Sequence, residues 1–173
     1  MVNEPLSALA HRLGECCLAR GIVLAGAESC TGGWIATAIT TVAGSSQWFD
    51  RAYVTYSNAA KVESLGVSAH TLETFGAVSE ETAREMALGV LARASAHLTY
   101  AVTGIAGPTG GSAVKPVGLV CFAFAARGFG AASRQTRLES FQRHFTGDRT
   151  GVRAQAVAFA LERLLVLAEQ SSA

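Results

Sequence analysis

The chain is short of several things, and each shortage removes a class of function. Its four cysteines, with Cys16 and Cys17 adjacent and Cys30 and Cys121 isolated, make neither a disulfide framework nor a C-x-x-C pair. The four histidines, His11, His70, His97 and His144, have no partner three or four positions away, so no helix-borne metal pair is present and no metal site is expected. No run of about 18 apolar residues occurs, and the start MVNEPLSALAHRLGE lacks a signal peptide's basic and apolar parts. A cytoplasmic protein with no membrane partner is the expectation. Only 16% of residues are charged and the net charge is +1, with arginines interspersed among acids. That balance offers no electrostatic footprint for nucleic acid.

What is present is a hydrophobic, globular chain: 50% apolar residues and a mean hydropathy of +0.30. At 173 residues it buries roughly 70% of its unfolded surface, enough for one core, and a single domain over residues 1–173 is expected. Leu6, Leu9 and Leu13 recur at helical spacing over residues 4 to 20. The run IVLAGA then fits a strand buried on both faces, and a helix is predicted from Ser29 to about Thr41. WFDRAYVTYS reads as a second strand, followed by a short helix capped by Ser57 or Asn58 and carrying Lys61. Ser68 and Ser79 look like further caps, the latter opening a helix to about residue 96. HLTYAVTG is a third strand, VGLVCFAFAA and residues 132 to 144 form an antiparallel hairpin, and a last helix covers about 148 to 169. Helices alternating with strands, closed by a hairpin, imply a three-layer α/β/α sandwich with a mixed sheet.

The stretch AESCTGGW places Gly32 and Gly33 in the first turns of a predicted helix, each costing roughly 1 kcal/mol against alanine. Ser29 carries two readings: a helix N-cap, or a nucleophile presented at the sheet's carboxyl edge with the following N–H groups facing a developing oxyanion. G-x-S-x-G is missing and no histidine lies in a comparable loop, so a Ser-His-Asp site is disfavoured. Lysine is the other base. Only Lys61 and Lys115 occur against twelve arginines, and Lys61 follows Tyr56 by five positions. Desolvation lets a lysine fall from about 10.4 towards 7 to 8 and act as a base; the alternative is a solvated helix residue paired with a carboxylate. Tyr56 is equally read as an aromatic packed at a strand end. The loop GIAGPTGG, with Gly104, Gly107, Gly110 and Gly111, suits an oxygen cradle or a plain mobile loop, and matches no nucleotide-loop pattern. Arg149 and Arg153 share a face at the start of the last helix, where the dipole disfavours cations; an anion or a nearby acid such as Asp148 resolves the conflict.

In order along the chain, AESCTGG, VTYSNAAK, GAVSEE, TGIAGPTGG, KPVGLV and FTGDR closely resemble the CinA C-terminal domain family, also called nicotinamide-nucleotide amidohydrolase. The likeness spans nearly the whole chain. It is to the stand-alone form, since the length leaves no room for the nucleotide-processing N-terminal domain of longer members. Thr103 stands where a serine often precedes GIAGP. The resemblance implies deamidation of nicotinamide mononucleotide to nicotinate mononucleotide and ammonia, with Ser29 as nucleophile and Lys61 and Tyr56 moving protons. It further implies that amides from Cys30, Thr31 and Gly32 hold the oxyanion and that Gly32 and Gly33 clear space for the carboxamide. Because the two arginines are misplaced against the helix dipole they are preferred for a phosphate, and the Gly104–Gly111 loop is then assigned to the pyridine or ribose. Arg149 and Arg153 are the expected phosphate site. No metal or organic cofactor enters that route, and a homo-oligomer is expected. A non-catalytic nucleotide-binding or regulatory module of the competence/damage-inducible CinA type is the alternative.

Overall fold

Apolar runs bounded by glycine and serine build a five-stranded sheet, covered on both faces by the intervening helices. The structure, a computed structural model, describes residues 4–127 and 136–171. Strand β1 (Leu24–Glu28) lies between β2 (Phe49–Val54) and β3 (Leu98–Gly104) and is parallel to both. Strands β4 (Leu119–Ala126) and β5 (Arg137–His144) continue antiparallel from β3, so the sheet is mixed, in the order β2-β1-β3-β4-β5. Helices α1 (Glu4–Arg20), α2 (Trp34–Thr40) and α6 (Arg149–Gln170) pack together on one face. Helix α5 (Glu80–Arg93) covers the other, with α3 (Asn58–Leu65) and α4 (Ala69–Phe75) packed against it. The expected single-domain, three-layer architecture is what forms.

The central strands read as uniformly apolar, yet their alternation sorts by size. Leu24, Leu98, Tyr100, Phe122 and Phe124 enter the core under α1, α2 and α6, while Ala25, Ala27, Ala101, Ala123 and Ala125 enter the one under α5. Small residues let α5 lie close to the sheet; the large ones supply most of the buried apolar area, a phenylalanine there being worth roughly 3–5 kcal/mol over alanine.

Several boundaries differ from those the sequence predicts. Helix α2 starts at Trp34, not Ser29, because residues 29–33 form a turn in which Gly32 (φ +61°) and Gly33 (φ +89°) take left-handed backbone. The two glycines precede the helix and reverse the chain into it. Ser29 is therefore no N-cap; Gly33 occupies that position without a side chain to cap with. The β1 pairing starts at Leu24, β2 ends at Val54, and α5 ends at Arg93. Ser57 and Ser79 do cap, accepting from the amides of Ala60 and Thr82. Ser68 holds its cap position without a side-chain bond. The predicted hairpin forms, though its turn and residues 132–135 lie outside the described residues.

Parallel pairing then positions the site. Glu28 pairs with Val54 in β2 and Val102 in β3, so the three segments following these strands leave the sheet at one edge, side by side.

Candidate active site

Ser29 follows β1 directly and donates its amide to the carbonyl of Val102, which anchors it beside β3. On the other side, β2 runs into Thr55 and Tyr56, and the Ser57 cap starts α3 so that Lys61 comes one turn in and points back under the sheet edge. Lys61 is 1% exposed, and its Nζ donates to Ser29 Oγ (3.2 Å) and to the Thr55 carbonyl (2.9 Å). Among the described residues no carboxylate pairs with this ammonium, and with Lys61 buried the solvated, acid-paired alternative does not hold. Burial is the leading cause that pushes the lysine below its ordinary value of 10.5, with only Cys30 acting in the other direction. A neutral Lys61 presents a lone pair at the distance where its ammonium now donates, and can accept the Ser29 proton. The neighbouring Cys30 thiol, buried and pushed up to about 12, is not a competing nucleophile.

Above this pair opens a cavity of about 200 Å³ whose walls include Ser29, Tyr56, Asn58, Lys61, Thr103 and Arg149. A second cavity of about 420 Å³ adjoins it, sharing Ala106 and Arg149 and running along Gly147–Thr150 at the start of α6.

The structure thus brings Ser29, Cys30, Tyr56, Lys61, Gly104 and Arg149 together around one space. Tyr56 stands at its rim, 60% exposed, with its hydroxyl accepting from Arg149 Nη2 (2.6 Å) and not bonded to Lys61 or Ser29. Arg149 also donates to the Gly107 carbonyl (2.8 Å), tying the rim to the glycine loop. Arg153 is turned elsewhere: it donates to the Thr31 carbonyl (2.6 Å) and lies over the Trp34 ring at 5.2 Å. Neither arginine pairs with Asp148, which instead caps α6 by accepting from the Gly151 amide. Carbonyl and phenol oxygens are what the two cations at this helix start found.

The Gly32 amide is spent on the Ser29 carbonyl (3.0 Å) and the Gly33 amide on the Glu28 carboxylate (2.9 Å). The Gly32 amide is thus engaged within the turn; of the other two residues whose amides the resemblance implies, Cys30 lines the cavity and Thr31 is fully buried and does not. A Cβ on Gly32 or Gly33 would meet its nearest neighbour at 3.5 Å, an ordinary contact, so backbone conformation and not crowding explains these glycines. Gly110 and Gly111 lie in an exposed stretch away from the Ser29 cavity. Sequence reasoning missed Asn58 and Thr103 as lining residues and Glu28 as an anchor of the turn. All three sit inside the motifs quoted above, but their roles depend on partners far along the chain.

A family model for the CinA C-terminal domain matches residues 6–168. The chain belongs to the CinA C-terminal domain family. It is 52% identical over 165 residues to a nicotinamide-nucleotide amidohydrolase PncC of Enterobacter agglomerans, covering 95% of this chain and 96% of that protein. Identity to the Escherichia coli K12 protein of the same name is 50% over 165 residues, with 95% of each covered. A crystal structure of the competence/damage inducible protein CihA from Agrobacterium tumefaciens superposes with a TM-score of 0.87 at 46% identity, covering 96% of this chain and 98% of that one. Among the described residues no helix is long and apolar enough to cross a membrane, and no three His, Cys, Asp or Glu side chains are grouped to hold a metal ion.

Proposed function

We propose that the chain is an amidohydrolase converting nicotinamide mononucleotide and water to nicotinate mononucleotide and ammonia. The observation that carries this is the buried Lys61–Ser29 hydrogen bond at the floor of a cavity, and the names of the relatives supply the substrate. Neutral Lys61 accepts the Ser29 hydroxyl proton as Oγ attacks the carboxamide carbon. The carbonyl oxygen takes the negative charge and is met by the amide of Cys30, which lines the cavity. The intermediate collapses by breaking the C–N bond, and the proton held on Lys61 passes to the departing nitrogen to give ammonia. Water then attacks the acyl-enzyme, loses a proton to Lys61, and releases the carboxylate as Ser29 Oγ takes that proton back.

Tyr56, fixed by Arg149, forms the wall against which the pyridine ring lies. A substrate phosphate of nearly two negative charges needs cationic partners. Of the two arginines, Arg149 borders the adjoining cavity, so the phosphate is placed there and Arg153 is assigned to holding the Ser29 turn.

Ammonia release from nicotinamide mononucleotide by the purified protein, beside calorimetric binding of the same compound, tests the activity. Steady release with stoichiometric nicotinate mononucleotide is expected. Binding with no release would replace this reading with the nucleotide-binding module.

A further inference from the structure

Glu28 is the last residue of β1 and is 0% exposed. Burying a carboxylate is costly unless its oxygens are filled with donors, and here they are. Oε2 accepts from the amides of Gly33 (2.9 Å) and Ile35 (3.2 Å), and Oε1 from the amide of Ala36 (2.8 Å) and the hydroxyl of Tyr100 (3.3 Å). These amides include N–H groups at the start of α2 that lack an intrahelical partner and that the capless Gly33 cannot serve. Ordinary capping uses the residue at the helix start; Glu28 reaches forward from the strand before the turn. Its backbone begins the turn and its side chain grips the far end, so Ser29–Gly32 is closed at both ends by one residue.

The fourth donor is set by a different strand. Tyr100 pairs with Gly26 across β1 and β3, and a Cβ on Gly26 would sit 2.0 Å from the Tyr100 Cζ. The missing side chain lets the ring lie over β1 with its hydroxyl at Glu28. Gly26, Glu28 and Tyr100 form one device across two parallel strands, directly behind the residue that faces Lys61.

We propose that Glu28, seated by Tyr100 over Gly26, is a positioning residue that holds Ser29 Oγ in line with Lys61 Nζ for attack. This rests on the amidohydrolase reading above.

The test compares wild type with Glu28→Gln and Tyr100→Phe, each checked for native circular dichroism and assayed well below its melting temperature. Two quantities are read: kcat and KM for nicotinamide mononucleotide, and the rate at which an alkyl fluorophosphonate labels Ser29. Glutamine keeps the size but turns an NH2 against backbone N–H groups, so the turn shifts. A small displacement of a reacting atom costs up to about 100-fold; Glu28→Gln is expected to lose about 10- to 100-fold in kcat, with KM within about twofold and labelling slowed in parallel. Tyr100→Phe moves the same quantities in the same direction by less. A folded Glu28→Gln protein with wild-type kcat and labelling rate overturns the proposal, as does a loss confined to KM. Should Glu28→Gln fail to fold, Tyr100→Phe decides in its place: a wild-type kcat there overturns it. Absence of ammonia release by the wild type contradicts the amidohydrolase reading instead, and the labelling rates then still decide the positioning role.

Discussion

Two glycine-bearing segments leave the same edge of the sheet and behave differently. The turn after β1, residues 29–33, has Ser29, Cys30 and Thr31 buried, and it is gripped by the Glu28 carboxylate, the Val102 carbonyl and the Arg153 guanidinium. The loop after β3 is exposed over residues 108–114, with Val114 85% exposed, and is tied mainly where it enters and leaves, by Ile105 to Leu119, Gly118 to Ile105 and Arg149 to Gly107. Both are poor in side chains, so composition alone makes both look like oxygen cradles. Only the first holds a hydroxyl at a buried amine. The comparison separates two jobs: changes in the first segment should act on turnover, changes around the second on binding or on nothing.

The largest effect is expected at the partner of the first turn. Lys61→Arg keeps the charge but cannot give up a proton at working pH, and should lose about 100-fold or more in kcat, as removal of a general base does. In the wild type, kcat/KM should climb with pH along a limb below 10.5, because burial depresses the lysine. The same shift has a stability consequence. Between its folded and unfolded values the unfolded chain binds the lysine proton and the folded chain does not, so stability rises with pH there. Lys61→Met is therefore expected to stabilise the fold at neutral pH, by an amount that shrinks as pH approaches 10.5, which denaturant titrations at several pH values will show.

Next comes Gly33→Ala, which forces a side chain into left-handed backbone at a cost of roughly 1–2 kcal/mol. It should lower the melting temperature and reduce kcat while leaving KM near the wild-type value; a KM effect alone would break the distinction between the two segments. Arg149→Ala, at the tie to the second loop, should do the reverse. Loss of charge-assisted bonds worth about 1.5–3 kcal/mol should raise KM for the mononucleotide roughly 10- to 100-fold more than for the phosphate-free riboside. Equal losses for both substrates would remove the phosphate from this cavity. The smallest effect is expected within the exposed stretch: Ser112 Oγ accepts from the Lys115 amide at an exposed position, and Ser112→Ala should stay within about 0.5 kcal/mol in stability and leave kcat and KM unchanged.

Much of this arrangement was legible in the sequence because its signals are local. Apolar runs located the strands, and the serines at 57 and 79 located the helices they cap. Alternation with helices required parallel strands, and parallel strands deliver Ser29 and Lys61, 32 positions apart, to one edge. What was not legible depends on reach across the fold. A serine before two glycines looks like a cap; that the cap is a carboxylate from the preceding strand, reaching five to eight positions ahead, has no periodic signature. Tyr56 and Arg149 meet across 93 positions, so the arginine that holds the Tyr56 hydroxyl at the rim had no local signal, and the proton role of Tyr56 came from the family resemblance alone. The arginines at the start of α6 signalled an unmet need for negative partners without saying which oxygens would supply it.

The central claim is that Ser29 forms the bond to the substrate carbonyl, and ammonia release by Ser29→Ala beside wild type tests it most directly. The change removes one oxygen from a residue that caps nothing, so circular dichroism should match the parent, and the melting temperature should fall only by what the lost Lys61 hydrogen bond contributes, about 1 kcal/mol. With nicotinamide mononucleotide at saturation, the variant is predicted to release ammonia about a thousandfold more slowly or less, while still binding the substrate. Release within about tenfold of the wild-type rate by a folded Ser29→Ala protein would contradict it.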